Sequence, residues 1–370
     1  MNSNMRTLTI EIGNQYVHGN VFEMNGAEAS LVSHHRMLVS SSPEDMVRSM
    51  KRYFEGGFEK CEVVGDRLTA VSQATDFLSS FGTSIGLRFD SSETYVSYST
   101  FGRNRLSKRI EVGCGKGIGD ALLSGGVEKI TSWFTSTGVA NKTALFNTLG
   151  RRMLYPNVPI GQDVQASLSA LLYLLTSLVG SEVPLTAHNT GLHSTQHAVN
   201  SIIVSGEFLT QGLESNKFLL PLIDGLGLDG VWQIVFDPHS ILSTLSFVQK
   251  EAFFDLSQLG FELSGTVVTL SHNRNWFEEL GEVTLDFGLS EPMVLTVFSG
   301  EFVVVPVSAE QSGELQFSVD SDVSIKGYSS DLDIRGGKLG VLLDMRGRPI
   351  QRYFTHPSYV SQYKKWEALL

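Results

Sequence analysis

Residues Arg6 to Ile12 (RTLTIEI) alternate small or polar with apolar side chains, the two-residue period of a half-buried strand. Gly13-Asn14 breaks the run, and Tyr16 to Met24 predicts a second strand. Asn25-Gly26 suits the left-handed backbone of a two-residue hairpin turn, so Ser30 to Leu38 is expected to return as a third strand. Ser42-Pro43-Glu44-Asp45 then opens a helix, with Ser42 as N-cap, Pro43 at the first helical position and acids in the first turn.

The same order of elements recurs. Ile85, Leu87 and Phe89 alternate inward and end at Asp90; after Ser91-Ser92-Glu93 a strand is predicted from Thr94 to Phe101. A turn at Gly102-Arg103-Asn104 leads to a third strand from Leu106 to Val112, and a glycine-rich stretch, residues 113–117 (GCGKG), opens a helix expected to run to about Phe134. In both places a carboxylate, Glu11 or Asp90, stands where the first strand stops and a tight turn begins. The pattern reads as an internal duplication.

Between the copies, Asp66 to Ser79 has helical apolar spacing. After the second copy come helices at Asn141 to Met153 and Gln162 to Val179, separated by the Pro156–Pro159 loop. Ser201 to Val204 predicts a short buried strand, Phe218 to Leu226 a helix, and Trp232 to Phe236 a strand stopping at Asp237-Pro238. From about Gly265 the chain becomes a succession of short β-rich runs (267–270, 282–287, 293–298, 301–307, 314–319, 339–344), followed by a short helical tail containing Trp366.

The length of 370 residues predicts two or three modules, and a net charge of −11, from 28 Lys and Arg against 39 Asp and Glu, makes a general phosphate-backbone ligand a poor expectation. Cys61 and Cys114 are the only cysteines, too few for a disulfide framework or a cysteine-rich metal site. The start carries no basic stretch followed by an apolar run, and the apolar segment from Leu168 to Val179 is short for a bilayer. A cytoplasmic protein that contacts neither nucleic acid nor membrane is expected.

Glu11 and Asp90 are the sharpest candidate residues. A carboxylate at a strand end before a tight hairpin suits a nucleotide site, where turn amides cradle phosphates and acids reach Mg²⁺ or its waters; it equally suits an acid that caps its own turn. Residues 113–117 fit a phosphate loop at a helix start, or simply a strand-to-helix turn, and match neither G-x-x-x-x-G-K-[ST] nor G-x-G-x-x-G. His188, His193 and His197 have spacing open to metal binding or to a polar loop.

With these residues in view, TIEIGNQYVHGNVFE resembles a degraded D-x-G-[ST]-T-x-T-K phosphate loop of the actin–Hsp70–sugar-kinase superfamily, and IGLRFDSSETYVSY resembles its second copy. From about Asp66 onward the chain is similar to the C-terminal half of glutamate mutase L proteins (MutL-like, unrelated to mismatch repair). The stretches that carry this are VGCGKGIGDALLSGGVEKITSWF, LFNTLGRRMLYPNVP, IIVSGEFLTQGLE, PLIDGLGLDGVWQIVFDPHSIL and DIRGGKLGVLLDMRGRPI.

The resemblance implies an α/β fold with duplicated actin-like ATPase (ribonuclease H-like) subdomains around a central cleft, plus a β-rich C-terminal module. The implied division is residues 1–80, a shortened first subdomain; 81–262, the second; 263–350, the β-rich module; and 351–370, the helical tail. It implies ATP and Mg²⁺ as ligands. Glu11 and Asp90 would be the metal-facing or catalytic acids, with Gly13, Asn14, Ser92 and Thr94 on the phosphate side. Ser205, Gly206 and Glu207 would lie on the adenosine side, and Gly113, Gly115 and Gly117 near the cleft. It also implies an accessory role through protein contact, as chaperone or reactivating partner of an adenosylcobalamin-dependent mutase.

The motif is eroded. Glu11 replaces an aspartate; Gln15, Val17 and His18 replace two hydroxyl residues and a base; Ser92 and Glu207 replace glycines. A Glu207 carboxylate about 4 Å from a phosphate would repel it by on the order of 4 kcal/mol at an effective dielectric near 20. Weak or absent ATP turnover is therefore expected. The alternatives are an active Mg²⁺–ATP-dependent ATPase or small-molecule kinase of the same fold, and a structural subunit paired with a more intact paralogue and using no nucleotide.

Overall fold

A computed structural model describes residues 5–13, 15–25, 28–79, 82–138, 141–156, 165–183, 199–207, 209, 215–245, 257–288, 291–326 and 331–370. Asn14, Gly26, residues 157–159 of the expected loop, and His188, His193 and His197 lie outside the described residues.

Strands β1 (Met5–Ile12), β2 (Tyr16–Asn25) and β3 (Glu28–Leu38) form an antiparallel meander whose pairing runs out to Asn25 opposite Glu28. Helix α1 (Pro43–Tyr53) follows, capped as its sequence predicts: Ser42 Oγ accepts from the Asp45 N–H at 3.2 Å. Its Met46 and Met50 pack with Leu8, Ile10, Val17 and Val21 of the sheet. Strand β4 (Lys60–Val63) then returns parallel to β1, completing the order β3-β2-β1-β4.

Helix α2 (Arg67–Leu78) starts at Asp66, whose carboxylate accepts from the N–H groups of Leu68 and Thr69. The second meander, β5 (Gly82–Phe89), β6 (Thr94–Thr100) and β7 (Arg103–Ile110), again leads through helices to a strand parallel to its first member: β8 (Val199–Ser205) pairs parallel to β5. The intervening helices are α3 (Ile118–Ala121), α4 (Val127–Ser136), α5 (Lys142–Leu154) and α6 (Gln165–Glu182); α7 (Leu219–Leu226) then leads to β9 (Gly230–Phe236), parallel to β8. Helix α6 is buried on nearly every side, which is why its sequence is apolar with little periodicity.

The helix expected to run unbroken to about Phe134 is interrupted. A wide π turn at Leu122–Gly126 separates α3 from α4, where the helix presses against α6. A Cβ on Gly126 would meet Leu174 Cδ1 at 2.7 Å and the Ala121 carbonyl at 2.5 Å.

The expected boundary at residue 263 does not coincide with a break in the large sheet. Strands β10 (Glu262–Thr269), β13 (Phe302–Val305) and β16 (Gly340–Asp344) extend it, giving the order β13-β16-β10-β9-β8-β5-β6-β7. Strands β11 (Glu279–Asp286), β12 (Met293–Phe298), β14 (Ser312–Val319) and β15 (Asp331–Arg335) form a separate four-stranded antiparallel sheet, ordered β12-β11-β14-β15. The physical reason is that alternation reports which side chains are buried, not which strand is the neighbour. Val267 and Leu342 enter the main core with Trp232, whereas Val268 and Leu343 face the small sheet's Leu280, Val283 and Leu315. The last helix, Tyr359–Leu369, buries Tyr359, Tyr363 and Trp366 in the main core. Among the described residues, no helix is long and apolar enough to cross a membrane.

Candidate functional site

Strands β1 and β5 bring Glu11 and Asp90 to one buried cluster, and two arginines fill the space between the acids. Arg88, two residues before Asp90 on the same face of the chain, places Nη2 2.6 Å from Glu11 Oε1 and Nε 3.1 Å from Asp90 Oδ1. Arg67, in the first turn of α2, places Nε 3.2 Å from Glu11 Oε1 and Nη1 3.2 Å from Asp90 Oδ2, and also donates to the Ile12 carbonyl. Ser243 closes the ring: its hydroxyl donates to Glu11 Oε2 at 2.5 Å and accepts from Arg88 Nη1 at 3.1 Å.

Glu11, Arg88 and Asp90 have no exposed surface. Burial raises the Glu11 carboxyl above its ordinary value, against the pull of Arg88 and Arg67. Burial likewise works against the Arg88 charge, but Asp90 and Glu11 overcome it and hold its pKa above normal. His18, which stands where the motif has a base, is fully buried and lies opposite Glu11 across the β1–β2 pair. Burial, then Arg88, pushes its pKa well below 6.5, so at neutral pH it carries no charge.

The two hairpin loops meet over a third acid. Glu207 Oε1 accepts from the Gln15 N–H at 3.0 Å, and Oε2 accepts from the Ser91 N–H at 3.0 Å. One carboxylate therefore joins an amide of the first loop to an amide of the second. Gly13 is held tightly beside it: a Cβ there would lie 2.6 Å from the Tyr16 carbonyl and 3.0 Å from Glu207 Oε1. Glu207, expected on the adenosine side, lies on the Gln15 and Ser91 amides of the two hairpin loops. Gly206 takes φ +107°, with the Phe89 backbone packed where a Cβ would stand, and this turn directs residue 207 back toward the loops.

The remaining expected residues are engaged by the protein itself. Thr94 Oγ1 donates to the Val112 carbonyl at 2.8 Å. Ser205 Oγ donates to Asp237 Oδ2 at 2.6 Å, and the same carboxylate accepts from the Ile241 and Leu242 amides. The 113–117 loop is a strand-to-helix turn wrapped on the second hairpin. Its amides at Cys114, Gly115 and Gly117 donate to the carbonyls of Asp90 and Ser91, and the Lys116 N–H donates to Ser91 Oγ. Cβ atoms on Gly113 or Gly117 would fall within 2.4 to 2.6 Å of backbone atoms of residues 90–92 and 113, so both glycines serve close packing. Ser92 lies in that contact, beside Gly117.

Arg67 and Arg88 were not foreseen as site residues. A charge inside the apolar run IGLRF, two positions before an expected site acid and therefore on its face, was the available signal for Arg88; nothing local marked Arg67.

The donor set does not fit Mg²⁺–ATP in this arrangement. At about 4 Å and an effective dielectric near 20, a divalent cation beside each guanidinium would be repelled by on the order of 8 kcal/mol. The Gln15 and Ser91 amides are already bonded to the Glu207 carboxyl. Among the described residues no group of three or more His, Cys, Asp or Glu side chains could hold a metal ion.

A second buried charge cluster lies elsewhere. Arg346 Nη2 lies 2.7 Å from Asp224 Oδ1 and 2.8 Å from Asp344 Oδ2, beneath the rings of Phe302 and Trp366. It ties α7, β16 and the last helix together. A cavity of about 740 Å³ nearby is lined by Asp229, His272, Lys326 and Arg348 among others, and includes none of the predicted site residues.

Comparison with protein-family models gives no match, and comparison with curated proteins gives none either. Among solved structures, 66% of the chain is similar to 88% of the ethanolamine utilization protein EutJ from Carboxydothermus hydrogenoformans, at 12% identity and a TM-score of 0.41. The same share is similar to 96% of component A of the (R)-2-hydroxyglutaryl-CoA dehydratase of Acidaminococcus fermentans, at 13% identity and a TM-score of 0.35. It is also similar to 97% of a Ppx/GppA family member from Aquifex aeolicus, at 10% identity and a TM-score of 0.32.

Proposed function

We propose that this chain is an actin-like ATPase-fold protein, with two duplicated subdomains, that has replaced its nucleotide by its own side chains and acts through protein contact. Two parallel-returning meanders, β3-β2-β1-β4 and β7-β6-β5-β8, support the duplication. The observation that carries the functional reading is the Glu207 carboxylate seated on the Gln15 and Ser91 amides. It stands in for a phosphate, and the Arg88 guanidinium between Glu11 and Asp90 stands in for a metal ion.

The cost of opening this arrangement argues for a resting, closed unit. Displacing Glu207 breaks two buried hydrogen bonds, and admitting Mg²⁺ requires both arginines to leave buried carboxylates. An active ATPase or small-molecule kinase, the first alternative, needs both changes at once. A structural subunit beside a more intact paralogue, the second alternative, needs neither.

The sequence resemblance to glutamate mutase L proteins supplies the finer reading, an accessory chaperone or reactivating partner of an adenosylcobalamin-dependent mutase. Exposed apolar side chains support a contact role: Leu123 is 85% exposed, Leu154 71% and Tyr155 61%. Leu123 lies in the π turn after α3, and Leu154 and Tyr155 at the end of α5, whose Met153 packs beside Gly119.

Calorimetric titration of the purified chain with Mg²⁺–ATP tests the proposal. No binding heat at millimolar nucleotide is expected. Micromolar binding with phosphate release abolished by Asp90→Ala would overturn it.

A further inference from the structure

Three arginines are buried among the described residues: Arg88, Arg346 and Arg152. The first two each sit between two carboxylates. Arg152 is only 2% exposed, and among the described residues no carboxylate pairs with it. Its Nε donates to the Cys114 carbonyl at 3.0 Å and its guanidinium lies beside the Cys114 thiol, while among the described residues Nη1 and Nη2 are both shielded from solvent and without a geometrically formed hydrogen bond.

A second unpartnered group converges on the same place. The side chain of Gln15 is buried at 3% exposure, and among the described residues neither its Oε1 nor its Nε2 has a hydrogen-bond partner. Its Nε2 lies 3.1 Å from the position a Cβ would take on Gly115, and Pro156 Cβ lies 3.0 Å from that same point. Arg152 is anchored on residue 114 and Gln15 against residue 115, so both face one stretch of the glycine-rich loop.

We infer that Arg152 and Gln15 form a binding site for a small oxyanion, a phosphate or carboxylate group. A buried guanidinium needs charge compensation as well as hydrogen bonds, which water does not supply. The Nη1 and Nη2 atoms left over form the fork that takes two oxygens of one oxyanion, and the Gln15 amide adds a third donor. This site is separate from the Glu207 contact: Gln15 gives its backbone N–H to Glu207 and offers only its side chain here.

Thermal unfolding of the whole chain, with inorganic phosphate or acetate added at constant ionic strength against chloride, tests the inference. Wild type is expected to gain several degrees in Tm with at least one of the two anions, and the preferred anion identifies the group. Arg152→Met is expected to lose that gain and, without anion, to unfold above the wild type, because it removes an unpaired buried charge. Gln15→Leu, which keeps the guanidinium, should shift the half-saturating anion concentration upward about tenfold. An equal gain in wild type and Arg152→Met, no gain with either anion in wild type, or an unchanged midpoint in Gln15→Leu would each overturn the inference.

Discussion

Arg88 Nη2 and Glu11 Oε1 lie 2.6 Å apart, on strands from different sheets, with no part of either side chain exposed. This pair couples the first meander to the second. Arg88→Met should leave Glu11 and Asp90 with Arg67 as their one shared cation and lower stability by about 3–5 kcal/mol, as expected when one partner of a buried ion pair is removed. Urea unfolding checks it. The double variant Arg88→Met, Glu11→Gln should recover much of that loss, because Asp90 then keeps Arg67 as its partner and no carboxylate is left uncompensated.

Glu207 should be replaceable by a free carboxylate. Glu207→Ala leaves the Gln15 and Ser91 amides without their acceptor, at a cost of about 1–3 kcal/mol for buried N–H groups left unpaired. Formate has the same two oxygens and should raise the melting temperature of Glu207→Ala by more than it raises that of wild type. Equal responses would count against the bridging role.

The pH dependence follows from the same residue. Burial, then the neighbouring Asp90, pushes the Glu207 carboxyl up from 4.5 to about 7. A carboxyl raised in the folded state holds its proton more tightly there, so its contribution is fully present below about 4.5 and lost as the pH rises through about 7. Wild type should therefore lose stability relative to Glu207→Gln across this window, by on the order of 3 kcal/mol. Unfolding curves at a series of pH values give the difference directly.

Asp344 behaves in the opposite sense. Burial alone would raise its carboxyl, but Arg346 and Arg348 overcome this and hold it well below the usual range. Its contribution is present above the ordinary aspartate pKa and lost as the pH falls through the lowered value. Asp344→Asn should cost about 3–5 kcal/mol at neutral pH and flatten the acid limb of the stability curve.

The local elements were legible because their determinants are local. Ser42, Asp66 and Asn141 cap the helices that their neighbours predict, and the strand alternation of residues 6–12 and 85–89 places Glu11 and Asp90 at strand ends. What the chain does with those acids was not legible. Arg67 and Arg88 reach them only after β1 and β5 approach from separate sheets. Glu207 read as an obstruction beside the adenosine, because a substitution in a motif reports a lost glycine and not where the new side chain will swing. The glycines at 113, 115 and 117 likewise fit an anion cradle or a close-packed turn equally well. Only the bonded partners of their amides separate the two. Strands β10, β13 and β16 look no different from β11, β12 and β14 in alternation, and which sheet they join is settled by the faces they bury.

The most direct measurement is a crystal structure of the chain soaked with millimolar Mg²⁺–ATP. The account predicts Glu207 still bridging the Gln15 and Ser91 amides, with Arg88 between Glu11 and Asp90 and no triphosphate across the two hairpin loops. A triphosphate lying on those amides, with Glu207 swung away and Mg²⁺ beside Asp90, would contradict it.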